Sequence, residues 1–228
     1  MTATILAEPL TRSVEDYLKA IYHLSQGTQP ASTSEIAVQL RLSAPSVSGM
    51  VRRLSEQGLL EHVPYRGVQL TAAGRQIALR MVRRHRLIEA YLVGFLGYSW
   101  DTVHDEAERL EHAVSDVLVE RMALALGHPR FDPHGDPIPT PDGTVDEQVY
   151  TPLTDIPEEE TAEIRRVDTS QPDRLRYLEQ AGLKPGVRVT VRQRHPFRGP
   201  ITLRIGTAEQ VIGHELAQQV LCERSSPR

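Results

Sequence analysis

The stretch from His104 to His112 reads His-Asp-Glu-Ala-Glu-Arg-Leu-Glu-His. On a helix, residues four, seven and eight apart share a face, so both histidines, Glu108 and Glu111 are predicted within an arc of roughly 100°. Carboxylates crowded there repel each other, and a divalent cation held by them and by the imidazoles removes the repulsion. The spacing alone indicates either a metal site or a charged, solvated helix face, which is the commoner origin of such runs.

Two further features bear on a metal site. His85 and Glu89 lie four residues apart on another predicted helix, although an isolated pair of this kind is more typical of a surface contact. Residues 76–150 carry thirteen acidic and seven basic side chains, against a net charge of −4 for the whole chain. An acidic segment with interleaved histidines suits a cation, or else it is a solubilising surface.

The composition narrows the class of protein. The 228 residues are 39% hydrophobic and 25% charged, a balance typical of globular domains. No apolar run approaches the roughly 20 residues that cross a bilayer, and the first residues are too short and unbasic a stretch for a signal peptide. We therefore expect a cytoplasmic protein without membrane contact. Cys222 is the only cysteine, which excludes an intrachain disulfide and a thiolate cluster.

Residues 1–72 have the pattern of a winged helix-turn-helix. A Ser13–Asp16 pair predicts a capping box for a first helix, and Ser32 with Glu35 predicts one for a second. A three-residue turn then leads to a third helix near Pro45, a residue that the first helical turn tolerates. The alternative is a plain three-helix unit.

A predicted β hairpin follows the third helix and favours DNA binding. Its segments are Leu59–Val63 and Gly67–Leu70, joined by a Pro-Tyr-Arg-Gly turn. Serines can meet bases and phosphates, and arginines can neutralise phosphates. The candidate DNA contacts are Ser43, Pro45, Ser46, Ser48, Gly49, Arg52, Arg53 and Arg66.

Long helices are predicted next. Thr71 is placed to cap a helix over residues 72–96, and a further helix capped near Ser99–Asp101 is expected to run to Leu126. The first of them has more apolar surface than one small domain can bury, which predicts a homodimer matched to a palindromic operator.

The rest of the chain predicts a linker and a β domain. Seven of the sixteen prolines lie between Pro129 and Pro157, which is typical of an extended connector. The predicted strands are Ile164–Val167, Val187–Val191, Ile201–Ile205 and Val211–Ile212, with one short helix ending at Gly182.

Several separated blocks together resemble the diphtheria toxin repressor family. They are Val14–Leu18, Arg84–Leu87, Val103–Ala107 and Glu111-His112, and they occur in the family's order. The resemblance covers nearly the whole chain and implies a metal-activated, dimeric winged-helix transcription regulator. It also implies that the last domain is a Src-homology-type small β-barrel, of a kind seen in iron-transport accessory proteins.

The resemblance implies two metal sites. Iron-responsive members carry methionine at the position of Asp16 and cysteine at that of Glu108, whereas manganese-responsive members carry carboxylates, which make a harder site. Lys19 stands where some small manganese regulators have an acidic ligand, so their binuclear cluster is not implied. Asp16 has an alternative role as a helix cap. The implied ligands are Asp16, Glu108, Glu111 and His112 for the primary site and His85, Glu89 and His104 for the ancillary site.

Three residues are further candidates for the ancillary site. His134 follows Asp132, a position where relatives often have cysteine, although an exposed loop histidine is the alternative. Asp168 and Gln171 of the β domain correspond to residues that reach back to this site in the family.

These observations predict a mainly α protein with a small β domain. The predicted regions are a DNA-binding domain (1–72), a helical dimerisation and metal-binding domain (73–145), a linker (146–160) and a β-barrel (161–228). The predicted function is a Mn(II)-sensing dimeric repressor of metal-uptake genes. Alternatives are a regulator answering Fe(II) or another divalent metal and a metal-independent winged-helix regulator. A hydrolase is disfavoured because no His-Glu-x-x-His motif, phosphate loop or nucleophile elbow occurs.

Overall fold

The computed structural model describes residues 10–25, 29–146 and 148–224. These residues form two compact units. The first unit extends to Arg84 and includes Pro139–Thr144, and the second comprises His85–Ile138 and the chain from residue 145 onward. Within the described ranges, no helix combines the length and apolar composition needed to cross a bilayer.

The first unit is a winged helix-turn-helix built from three helices and a hairpin. Its apolar core includes Leu18, Ile21, Ile36, Val47 and Leu54, all completely buried. The hairpin strands pair antiparallel. The elements are α1 (Arg12–Leu24), α2 (Thr33–Leu40), α3 (Ala44–Glu56), β1 (Leu60–Val63) and β2 (Gly67–Leu70).

One predicted cap in this unit is wrong and one is confirmed. The N-cap of α1 is Thr11, which makes no side-chain capping bond, so Ser13 and Asp16 do not form the predicted capping box. For α2, the Ser32 hydroxyl accepts from the Glu35 N–H at 3.2 Å, and the Ser32 N–H donates to the Glu35 carboxylate at 2.8 Å. This reciprocal pair satisfies two amides that the first helical turn leaves without partners.

The helix α4 (Ala72–Leu96) begins where the sequence predicts. The Thr71 hydroxyl accepts from the Gly74 N–H at 3.1 Å and closes its first turn. The helix continues without interruption from the first unit into the second.

The single helix predicted from Ser99 to Leu126 is wrong, because two helices occupy this stretch. They are α5 (Val103–Leu110) and α6 (Asp116–Ala125). The Ser115 hydroxyl accepts from the Leu118 N–H at 3.2 Å, and this N-cap starts a new helix. Consequently Glu111 and His112 follow α5 instead of lying inside one long helix.

The rest of the second unit is an antiparallel β domain, as the predicted fold class requires. Six strands pair in the order β3-β8-β4-β5-β6-β7 around a buried apolar cluster. Neither β3 nor β8 was among the predicted strands. The elements are β3 (Thr151–Pro152), β4 (Thr161–Val167), α7 (Pro172–Gln180), β5 (Arg188–Arg194), β6 (Ile201–Ile205), β7 (Ala208–Ile212), α8 (His214–Ala217) and β8 (Val220–Arg224).

Candidate metal centre

Histidines and carboxylates from α4 and α5 meet inside the second unit. His85 is buried, and its two ring nitrogens contact different glutamates. Nδ1 lies 2.6 Å from Oε2 of Glu111, and Nε2 lies 3.0 Å from Oε1 of Glu89. Both glutamates are almost completely buried. Burying an unpaired carboxylate costs free energy. The contacts with His85 therefore make the burial of both glutamates possible.

A first group of potential ligands consists of His85, His104 and Glu108. Nδ1 of His104 lies 3.1 Å from Nε2 of His85, and Oε1 of Glu108 lies 3.6 Å from Nδ1 of His85. One ligand atom from each of the three residues lies within 4.8 Å of the others. Glu108, implied by resemblance as a primary ligand, therefore also lies beside two ancillary candidates.

A second group consists of Glu89, Asp132 and His134, all buried, with ligand atoms again within 4.8 Å of one another. Nδ1 of His134 lies 3.8 Å from Oε2 of Glu89, and its Nε2–H donates to the Trp100 carbonyl at 2.8 Å. The alternative of an exposed loop histidine at position 134 is therefore wrong. Asp132 was not among the predicted ligands, although its place at a position where relatives often carry cysteine was a usable signal.

The charges in this second group depend strongly on one another. Burial would raise the pKa of Glu89, but the nearby charge of His85 and the interactions with His104, His134 and His85 hold it well below its usual value. Burial, together with the charges of Asp136 and Glu89, raises the pKa of Asp132 to about 7. Burial would lower the pKa of His134, yet its close contact with Glu89 and the attraction between them raise it to about 9. In the metal-free protein a proton on His134 thus occupies the place that a cation could take.

We predict that the metal-free protein loses stability as the pH rises toward 9. A histidine whose folded pKa is about 9, against 6.5 unfolded, stabilises the fold fully below pH 6.5, and this contribution is lost as the pH rises through 9. Thermal unfolding in chelator from pH 7 to 9 measures the loss. In a His134→Gln variant the pH dependence in this window should flatten, and an equally steep dependence in both proteins would contradict the assignment.

The remaining predicted ligands lie outside these two groups. His112 Nε2 is 3.4 Å from Oε1 of Glu111, immediately after α5. Asp16 lies on α1 in the first unit, with an oxygen 3.9 Å from Nε of Arg12. Asp168 is exposed and accepts a hydrogen bond from Arg166 at 3.2 Å, and the exposed Gln171 is the N-cap of α7.

The donor atoms in both groups fit a divalent cation of the first transition row. They are carboxylate oxygens and imidazole nitrogens, with no sulfur, and such sets suit manganese, iron and zinc. Several are buried, so a bound cation would stabilise negative charge that the protein otherwise offsets with protons.

Three domain families match the chain. The iron-dependent repressor N-terminal DNA-binding domain matches residues 9–68, and the iron-dependent repressor metal-binding and dimerisation domain matches residues 71–140. The FeoA domain matches residues 151–224. Among curated proteins, the iron-dependent repressor IdeR of Mycobacterium leprae (strain TN) is 33% identical over 227 residues, which cover 94% of this chain and 98% of the relative.

The chain belongs to the diphtheria toxin repressor family. It is accordingly a metal-dependent transcriptional repressor and not an enzyme, so the resemblance inferred from the sequence is confirmed and both the metal-independent and the hydrolase alternatives are rejected.

Solved structures resemble this repressor over most of its length. A structure described as a manganese-dependent transcriptional repressor in complex with manganese is 41% identical, with a TM-score of 0.85 over 93% of this chain and 100% of the other. The manganese regulator SloR is 36% identical, with a TM-score of 0.75 over 95% and 100%. The relatives' names thus divide between iron and manganese.

The repressor's candidate DNA-binding surface is the exposed side of α3 and the hairpin. Its three serine hydroxyls make local bonds, since Ser43 caps α3, the Ser43 and Ser46 hydroxyls are 2.9 Å apart, and Ser48 donates to the Ala44 carbonyl at 3.0 Å. Arg52 pairs with Glu56 at 3.0 Å, and Arg66 donates to Gln29. Every predicted contact is exposed, namely Ser43, Pro45, Ser46, Ser48, Gly49, Arg52, Arg53 and Arg66.

Proposed function

We propose that this repressor senses Mn(II) in the cytoplasm and, when loaded, represses metal-uptake genes as a homodimer on palindromic operators. The observation that carries the proposal is a donor set made only of carboxylates and imidazoles. Asp16 and Glu108 stand where iron-responsive members have methionine and cysteine, and hard oxygen donors favour Mn(II) over more thiophilic ions.

The primary site in this proposal takes Asp16, Glu108, Glu111 and His112. Glu111 is completely buried and contacts both His85 and His112. These contacts stabilise its buried carboxylate, which supports its role as a ligand. The bound cation would supply a positive charge that ties together carboxylates on separate elements. The ancillary ligands in the proposal are His85, Glu89 and His104, with His134, Asp132, Asp168 and Gln171 as further candidates.

Exposed apolar side chains in the second unit support the homodimer. Monomeric proteins seldom expose large apolar side chains in quantity, and such side chains mark protein interfaces. They occur at the end of α4, just after it and on α6, within the region matched by the dimerisation family. They are Phe95, Leu96, Tyr98, Val117, Leu118 and Leu124. A two-fold dimer would place two α3 helices on successive half-sites of DNA.

Metal activates DNA binding in this proposal by linkage. The cation binds more tightly to the arrangement of the chain that fits the operator, and the difference in affinity shifts the equilibrium toward that arrangement. Each tenfold preference contributes about 1.4 kcal/mol. We also propose the division into domains 1–72, 73–145 and 161–228. The predicted linker at 146–160 is too long, because β3 lies within it and pairs with β8 of the β domain.

The alternative, an Fe(II)-responsive repressor, is supported by the names of curated relatives. One experiment separates the two. Operator binding is titrated anaerobically with Mn(II), Fe(II), Zn(II) and chelator, at fixed salt because phosphate contacts are salt-dependent. We expect Mn(II) to promote binding at the lowest free concentration and chelator to abolish it. Stronger promotion by Fe(II) would establish the alternative, and binding that is unchanged in chelator would refute metal activation.

A further inference from the structure

Asp132 and His134 lie on one short loop, residues 131–138, here named the ligand loop. Its ends are joined by a β-bridge between Phe131 and Pro137. Oδ1 of Asp132 accepts the backbone N–H groups of His134 at 2.8 Å and of Asp136 at 3.0 Å. Two of the three side chains of the second ligand group, Asp132 and His134, are therefore positioned by the conformation of one loop.

On one side the ligand loop is fastened to α4 by Arg86. The guanidinium donates to the Pro137 carbonyl at 2.5 Å and to Asp136 at 3.2 Å, and its Nε lies 3.7 Å from Asp132. Arg86 is only 6% exposed. Glu89, the third member of this ligand group, also lies on α4. The contacts of Arg86 therefore fix the ligand loop relative to Glu89.

On its other side the ligand loop lies against β4 of the antiparallel β domain, which is the C-terminal domain of this chain. The Val167 N–H donates to the His134 carbonyl at 2.9 Å, and Arg166 contacts Asp136 at 2.9 Å. Gly135 has φ +88°, and a Cβ placed on it would lie 1.9 Å from the Arg165 carbonyl oxygen. No side chain fits in that space, so the loop and the strand approach each other only because residue 135 is glycine.

Trp100 connects the C-terminal domain to His134 a second time. It is the only tryptophan in the chain, and its ring is part of the C-terminal domain's apolar core. The ring stacks on the His134 imidazole at 5.7 Å, and the Trp100 carbonyl accepts the Nε2–H. A proton held on Nε2 leaves Nδ1, which faces Glu89, as the atom available to a cation.

We infer that the C-terminal domain sets the metal affinity of the Glu89–Asp132–His134 group by clamping the ligand loop between β4 and Trp100, not by donating a ligand. The inference rests on the proposed function insofar as it takes this group to bind metal. It differs from the role implied for Asp168 and Gln171, whose side chains are exposed. Asp168 also belongs to neither ligand group among the described residues.

The test measures Mn(II) bound per chain from the loss of the free-ion signal in electron paramagnetic resonance. Gly135→Ala should reduce, by at least tenfold, the affinity for the Mn(II) ion whose binding requires Glu89. Gly186→Ala is the matched control, because Gly186 has the same φ of +88° with nothing within 4 Å of a Cβ. Asp168→Ala and Gln171→Ala should bind as wild type. Circular dichroism verifies that each variant is folded.

Two outcomes would overturn the clamp while leaving the metal group intact. One is wild-type Mn(II) binding by a folded Gly135→Ala variant, and the other is loss of this Mn(II) in Asp168→Ala alone. If Glu89→Gln binds the same number of ions as wild type, the metal group fails, and the clamp fails with it. Mn(II) binding at the proposed primary site and its promotion of operator binding would still be measurable in these variants. Failure of the proposed function can therefore be distinguished from failure of the clamp.

Trp100 fluorescence in the wild-type protein provides a second test, which does not depend on whether Gly135→Ala folds. Because Trp100 is the only tryptophan and stacks on His134, its fluorescence should change as Mn(II) fills this group. The change should have the midpoint of the Glu89-dependent ion and should be absent in Glu89→Gln. A fluorescence signal that stays constant while that ion binds would contradict the Trp100 half of the clamp.

Discussion

Asp16→Ala is expected to remove most of the Mn(II) stimulation of operator binding without unfolding the repressor. In the proposed primary site Asp16 is the ligand from α1, whereas the other three come from α5 and the residues that follow it. Losing it would break the connection through which metal selects the DNA-binding arrangement. Couplings of this kind are typically about 1–3 kcal/mol, so stimulation should fall roughly 5- to 150-fold.

The fold should tolerate this change. Asp16 is only partly buried, and the ion pair with Arg12 at 3.9 Å is of a kind that contributes little to stability. Glu15→Ala, which removes the adjacent carboxylate from the same helix, is the control and should keep full stimulation. The measurement is a gel-shift titration with Mn(II) and with chelator. Full stimulation in Asp16→Ala would rule out the proposed mechanism.

Arg86→Leu is expected to destabilise the metal-free repressor by about 3 kcal/mol. Arg86 is buried against Asp132 and Asp136, and its removal leaves carboxylates in a poorly solvated place without their counter-charge. The variant also loses the hydrogen bond to the Pro137 carbonyl. Part of the penalty is avoided if Asp132 takes up a proton, because its pKa is already raised to about 7.

Denaturant unfolding in chelator measures this loss. Arg130→Leu is a suitable control, since Arg130 pairs with Asp146 at 2.6 Å but is 71% exposed. Exposed pairs contribute between zero and about 1 kcal/mol, so the control should remain near wild type. A loss below about 1 kcal/mol for Arg86→Leu would show that the buried pair is not required for stability.

Local sequence signals predicted the elements that depend on local chemistry. The Ser32–Glu35 capping box and the start of α4 after Thr71 follow from side chains within one helical turn. The break after α5 was missed because apolar spacing continues through it. Only the Ser115 cap marks it, and a serine inside a periodic stretch is a weak signal.

The ligand clusters were harder to predict because they depend on contacts between distant segments. His85 and Glu89 alone are typical of a surface pair, and their burial beside His104 arises from the packing of α5 on α4. Asp132 joins its ligand group only because its loop lies close to Glu89 in space, although the two residues are 43 positions apart in the sequence. Spacing within a helix contains no information about such an approach.

The absence of sulfur from the proposed ligand sets has a consequence for oxidative stress. Peroxide oxidises thiolates, and a sensor with a cysteine ligand loses that ligand when it is oxidised. Here the only cysteine, Cys222, is completely buried in β8, and burial raises the pKa of its thiol to about 12, so almost no reactive thiolate exists.

We expect hydrogen peroxide treatment, followed by its removal, to leave the Mn(II) dependence of operator binding unchanged. A shifted Mn(II) midpoint after treatment would contradict this. A repressor built in this way would continue to report metal while thiol-based sensors in the same cell are oxidised.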